Sequence, residues 1–147
     1  MKRYWLMLFS LAVLVGATVY AIEERRIDRI RRDLTSESLQ HDWAAAHFTI
    51  RLNEQGPEWF FDAQQPAERV FVAQLRRIFA VSDWDGHMLQ SSVTFQKLGF
   101  PRPPASSTEE PRIWEAKLGR GRYLLCTGPW SDPNGRTYQV TLGRKLD

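Results

Sequence analysis

Three histidines, one cysteine and a close pair of aspartates are the residues of this chain best suited to chemistry. His41, His47 and His87 stand on three separate stretches, and none has a second ligand at the spacing a metal site uses. A lone histidine is usually a surface or hydrogen-bonding residue. His87 and Met88 suggest a pair of soft-metal ligands, but neighbours on a strand point to opposite faces and do not easily reach one ion. Asp83 and Asp85 share one corner and suggest calcium, yet the long loop with its closing glutamate is missing. A turn role is the better reading of Asp83-Trp84-Asp85-Gly86. Cys126 lies between Leu125 and Thr127 with no basic or histidine partner nearby, which favours a buried small hydrophobe over a nucleophile. Gly119-Arg120-Gly121 lacks the strand-to-helix context of a phosphate-cradling loop. No nucleophile and base are paired as a hydrolase would need. The sequence therefore predicts no catalytic, cofactor-binding or metal residue, and leaves any ligand-binding residues unknown.

The aromatic residues are the other candidates for recognition. Trp59, Phe60, Phe61, Trp84, Trp114 and Trp130 read as core more readily than as a binding cage. Trp84 and Trp130 fall on turns, so they are the two expected at the surface. With 43% hydrophobic and 25% charged residues, the composition is that of a folded domain rather than a disordered chain. The net charge of +3 is too mild to call for a nucleic acid, and anionic headgroups are the nearer partner. A single cysteine excludes an intramolecular disulfide, so the fold must stand on its core.

The stretch that organises the rest is Tyr4 to Ile22, a run without charge between Lys2-Arg3 and Glu23-Glu24-Arg25-Arg26. A bilayer-spanning helix needs roughly 20 mostly apolar residues, and this run just reaches that. Tyr4, Trp5 and Tyr20 lie near its ends, where amphipathic rings favour the headgroup layer. Residues 1–22 are thus read as a membrane anchor, either a transmembrane helix or a secretory signal peptide with Val19 and Ala21 at its exit. A buried core helix is the weakest alternative. Charge leaves the orientation open. Arg25, Arg26, Arg29, Arg31 and Arg32 behind the run favour a cytoplasmic domain, whereas a short basic tail ahead of it is the usual start of an exported chain.

Residues 23–46 read as a juxtamembrane helix. Ile27, Ile30 and Leu34 recur at helical spacing among mixed charges such as Asp28 and Arg32. It is either a solvated helix or one that pairs with a second copy, and a homodimer through it is the expectation. Residues 47–147 read as an α+β domain. His47 to Asn53 alternates with Phe48, Ile50 and Leu52 on one face, Gln55-Gly56-Pro57 turns, and Glu58 to Phe61 returns. Pro66 to Arg77 is the one further helix. Ile78 to Ser82 and His87 to Ser92 are strands around the Asp83 corner, and Gln96 to Pro111 is a proline-rich loop. Trp114, Ala116 and Leu118 share a face of the next strand. Arg122 to Thr127 and Arg136 to Leu142 flank Asp132-Pro133-Asn134-Gly135, the strongest hairpin signal of the chain, with Tyr138, Val140 and Leu142 on one face. The sum is six or seven mostly antiparallel strands with two helices.

This order, with Val81 to Ser92 and Arg122 to Asp147 carrying the match, resembles the membrane-proximal half of two-component sensor histidine kinases of the heavy-metal-sensor type. In that family a strand, a D-x-x-G turn and a V-L-x-x-S strand lie mid-domain, and a V-Q-V-G-R-S-L strand precedes a second membrane helix. The resemblance implies an extracytoplasmic sensor domain of PAS-like topology, held at the inner (cytoplasmic) membrane and facing the periplasm or cell exterior. The family's second span would begin where Asp147 stands, and its phosphoacceptor histidine motif and ATP-binding glycine boxes have no counterpart. The expectation is a signalling domain that is non-catalytic by itself, although its parent protein would be a histidine kinase. Its partners would be the membrane, a second copy, and a small ligand or envelope protein. Metal sensing is not carried over, since no ligand set is visible. The alternative is a small anchored or secreted structural module of the cell envelope.

Overall fold

The computed structural model describes residues 2–53, 56–103 and 110–146, with the side chains of all but residues 2–3, 6–10, 53 and 56 among them. The chain divides into two units, Met1–Leu34 and Thr35–Asp147. Helix α1 runs from Lys2 to Ala46, so the predicted anchor and the predicted juxtamembrane helix belong to one element.

In the first unit, Leu11, Leu14, Val19, Ile22, Ile27 and Leu34 are all exposed. Among the described residues, no helix is long and apolar enough to cross a membrane. The predicted span includes residues 6–10, whose side chains lie outside the description. The transmembrane expectation is therefore without support from the structure.

In the second unit, the last turns of α1 present Leu39, Trp43 and Ala46, spaced to share one helical face, and all three are buried. The helix ends in bonds three residues back, from the amides of His47, Phe48 and Thr49 to the carbonyls of Ala44, Ala45 and Ala46. Such bonds tighten a last turn and satisfy its free carbonyls. Strands β1 (Ile50–Asn53) and β2 (Gly56–Trp59) follow as the expected antiparallel hairpin, with Ile50 opposite Trp59. Phe48 departs from expectation. It lies in the turn before β1 and is 88% exposed, because strand alternation starts only at Ile50.

Helix α2 (Pro66–Leu75) begins with proline in its first turn, as predicted. Strands β3 (Phe79–Asp83), β4 (Met88–Ser91), β5 (Arg112–Leu118), β6 (Gly121–Ser131) and β7 (Thr137–Lys145) form a 5-stranded sheet in the order β4-β3-β7-β6-β5. Every neighbouring pair is antiparallel. The β6–β7 hairpin turns on Asp132, whose Oδ1 accepts from the amides of Asn134 (2.9 Å) and Arg136 (2.8 Å). Gly135 supplies the positive φ of 80° that this turn requires.

A third helix, α3 (Val93–Leu98), corrects the expectation of one helix beyond the first and of a loop starting at Gln96. Ser92, taken as a strand residue, is its N-cap: Oγ accepts from the Phe95 amide at 3.1 Å and donates to the Arg77 carbonyl at 2.9 Å. Gly99, left-handed at φ 63°, ends it. Six residues are too few to reveal a helical period, so these two caps were its only sequence signal. Residues 104–109 of the proline-rich loop lie outside the description.

The sheet is buried on both faces. Leu124, Cys126, Val140, Leu142, Phe79 and Val81 pack on one face with Leu39, Trp43 and Ala46 of α1 and with Ile50 and Leu52 of the hairpin. Ile78, Ala80, Tyr123 and Leu125 face the other way, with Ala116 and with Phe95 of α3. The period of 2 along β6 sends alternate residues to the two sides.

Candidate functional site

The corner between β3 and β4 brings Asp83, Asp85 and His87 together, where the sequence had left His87 without a partner. Their ligating atoms lie within 4.8 Å of one another. Asp83 organises the corner. Its Oδ1 accepts from the His87 amide (2.7 Å) and its Oδ2 lies 3.0 Å from His87 Nδ1. Desolvation pulls the Asp83 carboxyl upward, but hydrogen bonds from the His87 amide and ring, with the ring's charge when protonated, outweigh it and hold the carboxyl below its usual range. Gly86 closes the turn at φ 84°, with its amide bound to the Asp83 carbonyl. The corner is a turn built by Asp83, and its side chains are largely open to solvent.

The aromatic expectations divide. Trp84 is exposed, as its turn position suggests. Trp130 is not: it is 6% exposed, because β6 runs on to Ser131 and keeps Trp130 inside the strand. The His47 ring stacks on it, with centroids 3.8 Å apart, and Trp43 meets His47 edge-on at 4.8 Å. Trp43 is fixed in turn by Nε1 donating to the Val140 carbonyl at 3.3 Å. This partial burial lowers the pKa of His47 from its ordinary value. His41 is exposed on α1, apart from both groups. Cys126 is buried at the centre of the sheet, and burial pushes its thiol up to about 12. A thiol held there stays protonated and unreactive near neutral pH.

Hollows of ligand size include one of about 560 Å³ beside Trp59, Arg76, Arg77 and Gln90, and a second, more apolar one in the same unit. The second holds about 470 Å³ where the end of α2, the helix α3 and the end of β7 meet. Ile78, Leu98 and Tyr123 supply its apolar wall. Arg77, Arg144 and Lys145 line it as cations, Gln74 and Thr94 as neutral polar residues, and Gly143 as open backbone. A Cβ on Gly143 would stand 2.6 Å from Ile78 Cγ2, so glycine is what lets β7 lie this close to Ile78. Arg144 is also a tie to α1: its guanidinium donates to the Asp42 carboxylate and to Ser38 Oγ.

No protein-family profile, curated protein or solved structure matches this chain.

The hollow was missed at the level of sequence. From the sequence, Arg77 reads only as the end of a helix, and Gly143-Arg144-Lys145 lie beyond the strand expected to end at Leu142, within the stretch that carries the resemblance. Their convergence with Tyr123 and Leu98 depends on the sheet order, which no local pattern carries. The hollow combines volume, an apolar wall and basic residues with no acid in its lining, the usual makings of a small-molecule site.

Proposed function

We propose that this chain is a membrane-anchored sensor domain of a two-component signalling system, non-catalytic by itself and facing the periplasm or cell exterior. One observation carries the reading. Helix α1 holds the uncharged run Tyr4 to Ile22 at its start and Leu39, Trp43 and Ala46, which enter the core of the domain, at its end. A helix with both features can pass a change in domain packing toward the bilayer. Such transmission requires two states with different ligand affinity.

Two further features support it. The sheet order β4-β3-β7-β6-β5 sets the first and last strands side by side in the middle, as expected of a PAS-like sheet. Ile27, Ile30 and Leu34 are exposed on one stripe of α1, which suits pairing with a second copy. A contrasting reading, an envelope module that docks onto another protein, is favoured by Trp84, Met88, Leu89 and Val93, all exposed around the edge strand β4.

Membrane fractionation of the full chain tests the proposal. The expected result is an alkali-resistant membrane protein that keeps its N-terminal residues and forms a disulfide-linked dimer when Ile30→Cys is oxidised. Release to the soluble fraction, cleavage after Ala21, or a monomeric Ile30→Cys variant would each overturn it. Full retention with protease-shielded domain residues in intact spheroplasts would overturn the orientation.

A further inference from the structure

We propose that the hollow between α2, α3 and the end of β7 binds a small organic anion, a carboxylate attached to an apolar group, with Arg77 as its main partner. This rests on the sensor reading only for what binding would signal, since the site itself follows from geometry.

Its volume of about 470 Å³ falls inside the range of about 300–1,000 Å³ typical of small-molecule pockets. Arg77, Arg144 and Lys145 line it, and no aspartate or glutamate does. With basic residues and no acid in its lining, the hollow suits an anion better than a cation. The three cations are not equivalent. Arg144 gives its guanidinium to Asp42 and Ser38 of α1, which covers the other face of the sheet, so it is not a partner for the anion. Arg77 follows the last turn of α2 and is exposed, with its planar fork suited to a bidentate carboxylate. The carbonyl end of α2 opposes this field, but the partial charge of a helix terminus is only about half an elementary charge.

The apolar wall sets the rest of the ligand. Ile78, Leu98 and Tyr123 would stay wet against a bare inorganic anion. A hydrocarbon or aromatic body displaces that water, and the apolar surface it covers favours binding.

The test is calorimetric titration of the full chain in detergent micelles with phenylacetate, benzoate and hexanoate, alongside phenylacetamide, acetate and inorganic phosphate. At least one of the three apolar carboxylates is expected to bind saturably. The neutral amide, acetate and phosphate are each expected to bind at least tenfold more weakly. Arg77→Gln should weaken binding by tenfold or more, with its thermal midpoint unchanged in the absence of ligand, and Lys145→Gln should weaken it by a few-fold. Arg77→Lys should recover only part of the loss, because it restores charge without the fork. The proposal is overturned by no saturable binding of any apolar carboxylate, by equal binding of phosphate, or by Arg77→Gln that binds as the parent does. Binding with the full chain found outside the membrane would leave this site standing and sink the sensor reading instead.

Discussion

The two faces of the sheet are built from the same strands and do different work. On the first face, Leu124, Cys126, Val140 and Leu142 are sealed by large residues from α1 and the β1–β2 hairpin. On the second, the cover is the short α3, with Phe95 as its one buried side chain, and the hollow beside Tyr123 remains. Toward its other end that second face turns polar. Thr127 and Thr141 pair at 2.8 Å, and Trp114 Nε1 donates to Thr127 at 3.0 Å. Every buried hydroxyl there has a partner, as a dry interior requires. One face supplies stability and the other leaves room for a ligand.

The largest effect that could break this contrast is a core truncation on the first face. Leu124→Ala should cost about 2–5 kcal/mol, since Leu124 is fully buried and its neighbours are too constrained to close the gap. Leu98→Ala, on the wall of the hollow, should cost less than about 2 kcal/mol, because the space beside it is already open. Denaturant unfolding midpoints of the two variants measure the difference. Equal losses would mean that the second face is packed as tightly as the first.

Next in size is the tie between the last strand and α1. Asp42 is buried and accepts from Arg144, whose guanidinium is about one-third exposed, at 35%. Asp42→Asn keeps the shape, removes the charge and should cost about 1–3 kcal/mol, the range for a hydrogen bond to a charged group. The loss should be much smaller in a background of Arg144→Gln, as a double-mutant cycle would report. An additive pair would show that the two residues stabilise the molecule separately.

A smaller effect belongs to the lid of the second face. Ser92 caps α3, donates to the Arg77 carbonyl and accepts from the Phe79 amide at 3.3 Å. Ser92→Ala should lower stability by about 0.5–2 kcal/mol, the usual range for a lost N-cap. Hydrogen exchange should quicken in α3 ahead of β6 and β7, because the cap serves the lid and not the sheet. Uniform quickening would argue that α3 and the sheet open as one unit.

These contrasts were only partly legible beforehand, and the reason differs from residue to residue. Asp132 to Gly135 announced its hairpin because the turn's chemistry is local: an Asx oxygen and a glycine at positive φ. Trp114, Ala116 and Leu118 were assigned to one face correctly, since strand alternation is a property of four or five neighbouring residues. The buried stripe of α1 was harder. Ile27, Ile30 and Leu34 look as periodic as Leu39, Trp43 and Ala46, yet only the second set is buried. Nothing in the local spacing distinguishes them, because burial is decided by tertiary packing. Trp130, placed on a turn just ahead of the Asp132 corner, lies instead inside a long β6, where it is paired with Tyr138. The hollow was invisible, being assembled from Arg77, Tyr123 and Lys145, which only the sheet order brings together.

The smallest effect concerns the seam between α1 and the sheet, where His47 lies on Trp130 and against Trp43. Burial disfavours the charged ring, so the folded-state pKa of His47 lies below its ordinary 6.5. Between the folded and unfolded values, the unfolded chain binds a proton that the native chain does not. Stability then rises with pH across that window. The contribution is fully present above 6.5 and is lost as pH falls through 6.5 toward the lowered value. The exposed side of the ring keeps the effect modest, because water can still reach the charge. The Asp83 carboxyl, with its folded pKa depressed below 3.8, acts in the same direction at lower pH, so the two windows do not overlap. Unfolding midpoints measured from pH 8 to pH 5 should therefore decline only below about pH 6.5, and His47→Gln should flatten that part of the curve. If the slope persists in His47→Gln, the seam is not what titrates, and the first face is less dry at its α1 edge than its packing implies.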